Sequence, residues 1–361
     1  MKKIFFTTGP TQLYPQIKNY LNEAIDENIL SLPHRSEQFT NIIKDTVSEL
    51  KNLLNVPENF QIFFLSSGTE CMERIIENLV EDLSFHFING YFGDRFFNIA
   101  VNLNKSPEYI KCEYGKNFNF KKLFIPVGYE LACFTQNETS TGVAIDMKDI
   151  YELKKKHPEI IFAIDAVSSV PYTELDYNFI DCAFFSVQKG FGMPSGLGII
   201  IINKDCIEKT KYLQSKNINT GSYHNFINLS RNAEHYQTAM TPNMLAIYLC
   251  GKVAHYLNKI GTGKIRMETE QKAQLLYDFF EKNKFVYPAV KKHSDRSQTT
   301  LVMNVNKNPE VLLNKLNEKG FVLSNGYKDY KDSQIRIGNF PMHTIEDVKN
   351  LIKAFKSILK F

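Results

Sequence analysis

The sequence predicts an α/β protein with a mainly parallel, seven-stranded sheet in a three-layer large domain and a smaller C-terminal α+β domain. Up to about residue 210, short and continuously apolar runs alternate with segments of helical periodicity. That alternation is typical of parallel strands covered by helices on both faces. Beyond about residue 242 the pattern changes to long helices, followed by alternating strands and helices, which indicates a second architecture.

Seven apolar runs in the first part are predicted strands. They are residues 62–65, 85–88, 109–112, 131–135, 160–165, 182–186 and 198–202. The periodicity between several of them predicts helices over residues 69–81, 93–104 and 146–156. Because ligands of such sheets bind at the carboxyl ends of the strands, we expect functional side chains directly after these runs.

The rest of the chain predicts the smaller domain. Helices are expected over about 242–258 and 264–283, separated by Gly261-Thr262-Gly263. Strands are then expected at 299–305, 321–324 and 333–338, and helices at 309–319 and 345–359. Thr344 is the expected N-cap of the last helix. Because there are no repeats and no low-complexity linker, we expect the two domains to pack closely.

Composition and charge argue against several classes of function. The 361 residues carry 43 Lys and Arg against 39 Asp and Glu, and this net charge of +4 is too small to indicate a nucleic-acid surface. No apolar run reaches the ~18 residues of a membrane span, and Ile4-Phe5-Phe6 is too short for a signal peptide. Six cysteines without a CxxC pair disfavour a zinc cluster or a dithiol motif. We therefore expect a cytoplasmic protein that binds no nucleic acid, membrane or metal.

The first motif with chemical content is Ser66-Ser67-Gly68-Thr69, which follows the first predicted strand and opens a helix. The start of a helix offers free N–H groups and the positive end of a dipole, and small residues let an anion approach. The motif therefore indicates either a phosphate cradle or an ordinary helix cap. It matches neither GxGxxG nor GxxxxGKS/T, which disfavours dinucleotide-dependent dehydrogenases and proteins that bind nucleoside triphosphates.

Asp165 and Lys189 end two later strands. A lysine directly after a buried strand is partly desolvated, which lowers its pKa and makes a neutral amine available to an aldehyde. Each residue alone has an ordinary explanation, as a turn-forming Asp or a surface lysine. Together with the candidate cradle, they supply the phosphate site, the carboxylate for a ring nitrogen and the amine that pyridoxal phosphate (PLP) requires.

Nine motifs, in order along nearly the whole chain, make the sequence resemble the class V aminotransferases, which are PLP enzymes of fold type I. They are Thr8-Gly9-Pro10, His34-Arg35-Ser36, Ser67-Gly68-Thr69, Gly90-Tyr91-Phe92-Gly93, Asn137-Glu138-Thr139, Asp165-Ala166-Val167-Ser168, Ser186-Val187-Gln188-Lys189, Thr241-Pro242 and Ile335-Arg336-Ile337. The resemblance implies PLP as cofactor, small amino and oxo acids as substrates, and a homodimer with sites shared across its interface. It also implies a large PLP-binding domain of residues 15–258 and a small domain of residues 1–14 and 259–361.

The resemblance assigns roles to individual residues. Lys189 would bind the cofactor aldehyde and transfer the substrate proton, and Asp165 would pair with the pyridinium nitrogen. Thr139 would hydrogen-bond the phenolate oxygen of the cofactor. Phe92 stands where the family usually has a Trp stacked on the cofactor ring, and this chain contains no Trp. Arg336 would bind the substrate α-carboxylate with its bidentate fork.

The same resemblance implies how the cofactor phosphate is held. The surrounding residues would be Ser67, Gly68, Thr69, Ser186 and Gln188, joined by Thr241 of the partner subunit. Relatives often have Asn directly before that Thr-Pro, whereas this chain has Met240. One phosphate donor is therefore expected to be missing.

His34-Arg35 is the most informative pair for the substrate. In phosphoserine aminotransferases the corresponding pair lies near the substrate phosphate, but alanine/serine–glyoxylate aminotransferases have a similar His-Arg-Ser, and Arg35 could instead pair with Glu37 or a helix end. Lys328 could replace a second phosphate clamp as a point charge. Residues 90–95 and 193–197 favour the glyoxylate branch. We expect phosphoserine:2-oxoglutarate transamination in serine biosynthesis, with the glyoxylate branch as the alternative.

Two other functions fit the sequence less well. A cysteine desulfurase of this fold class needs a mobile cysteine late in the chain, and the last cysteine here, Cys250, lies in a helical apolar pattern. A non-catalytic PLP-binding protein would typically lack the lysine or carry a DNA-binding segment. Lys189 is present and no segment is left unassigned.

Overall fold

The computed structural model describes residues 3–359 as two large β-sheets covered by helices. The strands are β1 (Ile4–Phe6), β2 (Gln61–Leu65), β3 (Leu83–Ile88), β4 (Ser106–Lys111), β5 (Leu131–Thr135), β6 (Asn137–Glu138), β7 (Val143–Ala144), β8 (Ile161–Asp165), β9 (Cys182–Ser186), β10 (Gly198–Ile202), β11 (Val286–Pro288), β12 (Thr300–Val305), β13 (Phe321–Asn325) and β14 (Gln334–Gly338). The α-helices are α1 (Ile17–Asp26), α2 (Glu37–Leu54), α3 (Gly68–Leu79), α4 (Tyr91–Asn102), α5 (Met147–Lys156), α6 (Lys204–Ser215), α7 (Phe226–Ala233), α8 (Met244–Ile260), α9 (Thr262–Glu281), α10 (Pro309–Glu318) and α11 (Ile345–Leu359).

The seven strands predicted in the first part form one sheet, in the order β2-β10-β9-β8-β5-β3-β4. Its neighbouring strands run parallel, except that β10 is antiparallel to both β2 and β9. The prediction of a mainly parallel seven-stranded sheet is confirmed. Strands β5, β9 and β10 are buried along their whole length, which explains their continuously apolar sequences.

One edge of this sheet collects the carboxyl ends of four strands. Asp165, the last residue of β8, pairs with Thr135, the last residue of β5. Ser186 ends β9 and lies opposite Gly198 of β10. Gly198 in turn lies opposite Leu65, which ends β2. The loops that follow β2, β5, β8 and β9 therefore meet at this edge, where ligands of parallel sheets bind.

Helices bury both faces of the sheet. On one face, α3 and α4 contribute Ile75, Ile76 and Phe96 to a hydrophobic cluster with the strands. On the other, a larger cluster includes Leu50 of α2 and Leu257 of α8, and these two helices pack against each other. None of the helices in residues 3–359 has the length and apolar character of a transmembrane helix.

The second sheet has five strands in the order β1-β13-β14-β12-β11 and packs against α9, α10 and α11. Its first strand, β1, pairs in parallel with β13, so the N-terminal segment joins a sheet whose other strands come from the last third of the chain. Thr344 caps α11, because its Oγ1 accepts a hydrogen bond from Asp347 N at 3.0 Å. The domain boundaries given above stay a prediction.

Several elements lie outside the predicted ones. Strands β1 and β11 have three residues each, too few for a periodic pattern. Strand β4 begins at Ser106, three residues before the predicted run, and four of its six residues are exposed. Because β4 is an edge strand, apolar residues do not mark its start. Helices α1, α2, α6 and α7 also fall in segments with no predicted element.

Candidate active site

A cavity of about 310 Å³ lies at the carboxyl edge of the seven-stranded sheet. It brings together most residues predicted for the cofactor and the substrate: Ser67, Gly68, Thr69, Phe92, Thr139, Asp165, Ser186, Gln188, Lys189 and Arg336. Its lining also includes residues that the sequence did not single out, among them Arg95, Thr135 and Tyr327. A cavity of this size accommodates a small organic ligand.

One wall of the cavity is the start of helix α3. Ser67 is the N-cap, and its Oγ accepts a hydrogen bond from Glu70 N at 3.1 Å. The Glu70 carboxylate reaches back and accepts from Ser66 N at 2.7 Å and from Ser66 Oγ at 2.6 Å. The exchange resembles a capping box. The cap and the cradle are therefore compatible, because the cap orders the helix start that lines the cavity.

Glu70 also ties this helix start to a distant loop. Nδ1 of His224 lies 2.5 Å from Oε1 of Glu70, and Nε2 of His224 lies 3.3 Å from Sδ of Met240. Burial opposes ionisation of Glu70, but hydrogen bonds from His224 and Ser66 lower the pKa of its carboxyl to about 2. Met240, at the position where relatives often have Asn, thus contacts the imidazole that is bonded to the cradle helix.

Two glycines make room for close contacts in the walls. A Cβ on Gly68 would lie 2.9 Å from Cγ2 of Val167. Gly9 has a φ of +132°, and a Cβ there would lie 2.8 Å from Cε of Lys189. The segment around Gly9 is fixed by a hydrogen bond from Thr11 N to Gln188 O at 3.1 Å. The N-terminal segment therefore packs directly against the stem of the lysine, and glycine is required for that approach.

Lys189 and Asp165 both line the cavity and are nearly inaccessible to solvent. Lys189 is 6% exposed, and its Nζ donates a hydrogen bond to Thr139 Oγ1 at 2.9 Å. Burial lowers the pKa of Lys189 to about 8, and the carboxylate of Asp165 partly opposes that shift. Asp165 is 4% exposed, and burial raises the pKa of its carboxyl to about 7.

Two buried polar groups of the cavity, those of Asp165 and Thr135, have few hydrogen-bond partners within residues 3–359. Oδ1 of Asp165 accepts a hydrogen bond from Val167 N at 2.9 Å, and the buried Oγ1 of Thr135 has no hydrogen-bond partner within residues 3–359. A buried carboxylate with so little compensation is costly unless a cation meets it. A protonated ring nitrogen would provide that cation, so the residues present fit PLP.

Phe92 is positioned by a buried carboxylate. Glu138 is fully buried and accepts hydrogen bonds from Phe92 N at 2.9 Å and Gly93 N at 3.2 Å. It also accepts from Ser140 N at 2.9 Å and from Ser140 Oγ at 2.7 Å. The Phe92 ring centroid lies 5.2 Å from Nζ of Lys189. Glu138 thus anchors the start of α4 and places the ring beside the amine.

Arg336 enters the cavity from β14 of the second sheet. Its Nε donates to Asn325 O at 2.8 Å, and its Nη1 lies 3.4 Å from Thr139 O. The guanidinium carbon lies 5.0 Å from the ring centroid of Tyr327. These contacts fix the side chain and leave donors of the fork for an anion.

Four predicted residues do not line this cavity. His34, Arg35 and Thr241 lie together elsewhere, where Nδ1 of His34 is 3.2 Å from Oγ1 of Thr241. Arg35 donates to Gln237 Oε1 at 3.0 Å, and this contact rather than a pairing with Glu37 is found. Lys328 lines a neighbouring cavity of about 340 Å³. The roles given to these four residues stay predictions.

Arg95 and Tyr327 are among the residues of the main cavity that sequence reasoning missed. Arg95 lies three residues after Phe92 in α4, so helical periodicity puts both side chains on one face. That spacing was a usable signal. Tyr327 directly precedes Lys328, and it lines both cavities. Its position depends on how the second sheet packs against the first, which the sequence pattern does not show.

Comparisons with known proteins agree on one family. Residues 119–351 match the family model described as aminotransferase class-V. The phosphoserine aminotransferase of Lactococcus lactis subsp. cremoris (strain SK11) is 25% identical over 372 residues, which cover 97% of this chain and 98% of the relative.

Solved structures match over the whole chain. A phosphoserine aminotransferase from Cytophaga hutchinsonii has a TM-score of 0.97 and 39% identity, covering 98% of each chain. An alanine–glyoxylate aminotransferase from Nostoc sp. has a TM-score of 0.86 and covers 100% of this chain and 96% of its own. At 19% identity, the second likeness shows the shared fold alone.

Proposed function

The chain belongs to the class V aminotransferases and is a PLP-dependent transaminase, and we propose that it transfers the amino group of phosphoserine to 2-oxoglutarate. The observation that carries the chemistry is one cavity lined by Lys189, Asp165 and Arg336. The substrate assignment is supported by similarity to phosphoserine aminotransferases over 97–98% of the chain. Transamination is reversible, and in serine biosynthesis the proposed reaction would run in the direction that forms phosphoserine.

The proposed cofactor is PLP, held by the residues that line the cavity. When bound, it supplies an aldehyde that reacts with amines and a ring that accepts electrons from the substrate Cα. The helix start at Ser67, Gly68 and Thr69 would hold the phosphate, with Ser186 and Gln188 beside it. Separately, Asp165 would hold the ring nitrogen in its protonated state, Phe92 would stack on the ring and Thr139 would bond the phenolate oxygen.

Lys189 is proposed to move the substrate proton. Its pKa of about 8 leaves a useful fraction of the amine neutral near physiological pH. A neutral Nζ can take the proton that leaves the substrate Cα and return it at the next step. Because the lysine is 6% exposed, bulk water has little access to the proton during the transfer. Arg336 would bind the α-carboxylate and so present the Cα hydrogen.

A homodimer in the cytoplasm is the proposed state of the protein. In one subunit, Nδ1 of His34 lies 3.2 Å from Oγ1 of Thr241, but neither residue lines the cavity that holds Lys189. If that patch faces the cavity of a second copy, Thr241 of the partner subunit would reach the cofactor phosphate, and His34 and Arg35 of the partner subunit would approach the substrate. Isologous packing of this kind builds two equal sites.

Transamination with glyoxylate is the second candidate. Residues 90–95 and 193–197 favour it. A substrate without an anionic side chain would not use a side-chain cation site. The two candidates therefore differ in their preferred amino donor.

Single-turnover half-reactions of the holoenzyme distinguish the candidates. The loss of the visible band of the lysine–cofactor adduct would be followed with phosphoserine, glutamate, serine and alanine. We expect the highest second-order rate constant with phosphoserine. A preference for serine or alanine over phosphoserine would replace it with the glyoxylate branch, and no reaction with any donor would refute transamination.

A further inference from the structure

The cavity contains a second guanidinium group that the roles above do not use. Arg95 lines it together with Arg336, and both are half-buried. The arginines that form ion pairs within residues 3–359 are Arg74, Arg266 and Arg296. Neither arginine of the cavity therefore has a carboxylate partner in that part of the chain. Half-buried cations without counter-ions favour an anionic ligand.

The two guanidinium groups flank one pair of aromatic rings. The guanidinium carbon of Arg336 lies 5.0 Å from the ring centroid of Tyr327. The Tyr327 ring lies 4.7 Å from that of Tyr91, and the guanidinium carbon of Arg95 lies 5.1 Å from the Tyr91 centroid. Cation–π contacts thus hold one cation at each end of the row. This arrangement suits a ligand with two anionic groups.

The side chain of Tyr91 also contacts a third cation. Nη2 of Arg95 donates to the Tyr91 hydroxyl at 3.3 Å. Nζ of Lys328 lies 3.9 Å from the Tyr91 ring centroid. The Lys328 backbone has a φ of +45°, which is strained for a residue with a side chain. The Tyr91 side chain therefore contacts two cationic groups, Arg95 and Lys328.

We propose that Arg95 binds the anionic group at the far end of the substrate side chain, with Lys328 as a second cation beside it and Arg336 on the α-carboxylate. This assignment rests on the proposed transamination and narrows its substrates to amino acids with an anionic side chain. It places the side-chain anion site on helix α4 of the same subunit. The family resemblance instead assigns that role to His34 and Arg35.

The surrounding charges favour the main cavity as the position of the anion. Asp94 and Asp329 line the neighbouring cavity with Lys328, so an anion there would face two carboxylates. In the main cavity, Asp165 is the one carboxylate among the lining residues, and it is assigned to the ring nitrogen. Nη1 of Arg95 also lies 3.3 Å from Thr69 Oγ1 at the cradle. Binding of the cofactor phosphate is therefore the competing role for Arg95.

Half-reactions of Arg95→Gln holoenzyme with phosphoserine, glutamate and alanine separate these roles. We expect the second-order rate constant to fall at least ~30-fold with phosphoserine and glutamate, and less than ~3-fold with alanine. Arg95→Lys keeps the charge but loses the fork, so its loss should be intermediate. Arg231→Gln, at an exposed arginine of α7, is the matched control and should leave all three constants unchanged.

Two results would overturn the proposal. An equal loss with alanine, together with weaker retention of PLP, would assign Arg95 to the cofactor phosphate. Unchanged constants with phosphoserine and glutamate in Arg95→Gln would show that the side-chain anion binds elsewhere. If Arg35→Gln then showed the selective loss, the site predicted from the resemblance would replace this one.

Calorimetric binding of unreactive carboxylates to the holoenzyme tests Arg95 without turnover. Succinate carries two anionic groups and propionate carries one. We expect Arg95→Gln to weaken succinate binding at least ~10-fold and to leave propionate binding unchanged. The assignment would be contradicted if Arg95→Gln weakened the binding of succinate and propionate equally, or if it weakened the binding of neither. Because no reaction is needed, this result stands even if the proposed transamination fails, so the two failures are distinguishable.

Discussion

Nζ of Lys189 donates a hydrogen bond to Oγ1 of Thr139 at 2.9 Å, so the buried amine is held by a neutral hydroxyl. Thr139 follows Glu138, whose carboxylate fixes the start of α4. The amine and the Phe92 ring are therefore both positioned from one short segment, Asn137 to Ser140.

Lys189→Ala should abolish covalent attachment of PLP and lower turnover by about 10³-fold or more, because both the aldehyde-binding amine and the proton carrier are removed. Borohydride reduction followed by peptide mass spectrometry would locate the attached PLP. In the wild-type protein the label should be on Lys189, and in the variant it should be absent.

Lys272 is a matched internal control for this labelling. It is 1% exposed, and burial lowers its pKa to about 8, as for Lys189. Its Nζ, however, donates to Phe340 O at 2.9 Å and to His343 O at 2.7 Å, and it does not line the cavity. PLP trapped on Lys272, or retained turnover in Lys189→Ala, would contradict the assignment.

The rate at which PLP adds to the apoprotein should increase with pH, with a midpoint of about 8, since only the neutral form of Lys189 reacts. The Asp165 carboxylate raises the pKa of Lys189, so Asp165→Asn should move the midpoint to lower pH. Absorbance of the adduct, recorded between pH 6 and pH 10, measures both midpoints. A midpoint that stays in place or moves upward in Asp165→Asn would show that the two groups are not coupled.

Glu138→Gln should impair the positioning of Phe92. Replacing one carboxylate oxygen with an amide group sets a donor against the N–H groups of Phe92, Gly93 or Ser140, and burial leaves no water to compensate. We expect a loss of about 2 kcal/mol in the free energy of unfolding and a changed circular dichroism band of the bound cofactor.

The circular dichroism band separates the role of Glu138 in positioning Phe92 from its contribution to the stability of the fold. Glu113→Gln is the control, because the Glu113 side chain is 77% exposed and pairs with Lys116 on the surface. It should leave both the unfolding curve and the cofactor band unchanged. A destabilised Glu138→Gln protein with an unchanged band would limit Glu138 to a structural role.

Mixed dimers test whether the site is shared between subunits. One parent carries Lys189→Ala, and the other carries changes at His34, Arg35 and Thr241. If each site combines Lys189 of one subunit with that patch from the other, each mixed dimer has one intact site, and co-expression should restore about a quarter of wild-type activity. Activity no higher than the mean of the two parents would show that each subunit holds its site alone.

The sequence predicts the centre of the sheet better than its margins. Strands β9 and β10 were predicted with their observed bounds because burial of every residue requires a continuous apolar run. Edge strand β4 is largely exposed, β11 has only three residues, and β1 depends on pairing with the distant strand β13. Pairing between residues far apart in sequence leaves no local periodic signal.

The residues of the cavity also differ in how far the local sequence predicts their positions. Asp165 and Lys189 follow buried strands, so chain order alone brings them to one edge of the sheet. Arg95 lies on a helix, where its rotation toward the cavity depends on how Glu138 anchors α4. The cavity position of Arg336 depends on packing between the two sheets. A single chain shows that His34, Arg35 and Thr241 lie close together. Their proposed role at the cavity requires a second copy of the chain.

Thr8 N donates a hydrogen bond to Oγ of Ser324, across a separation of 316 residues, and Gly9 touches the Lys189 stem. All seven strands of the lysine-bearing sheet precede β13 and β14 in the chain. Without those two strands the pocket lacks Arg336 and the contact that fixes the opening segment. A partly folded chain with only the first sheet formed would therefore carry the amine without the residue proposed to bind the substrate carboxylate, and contacts between residues so far apart in sequence form slowly.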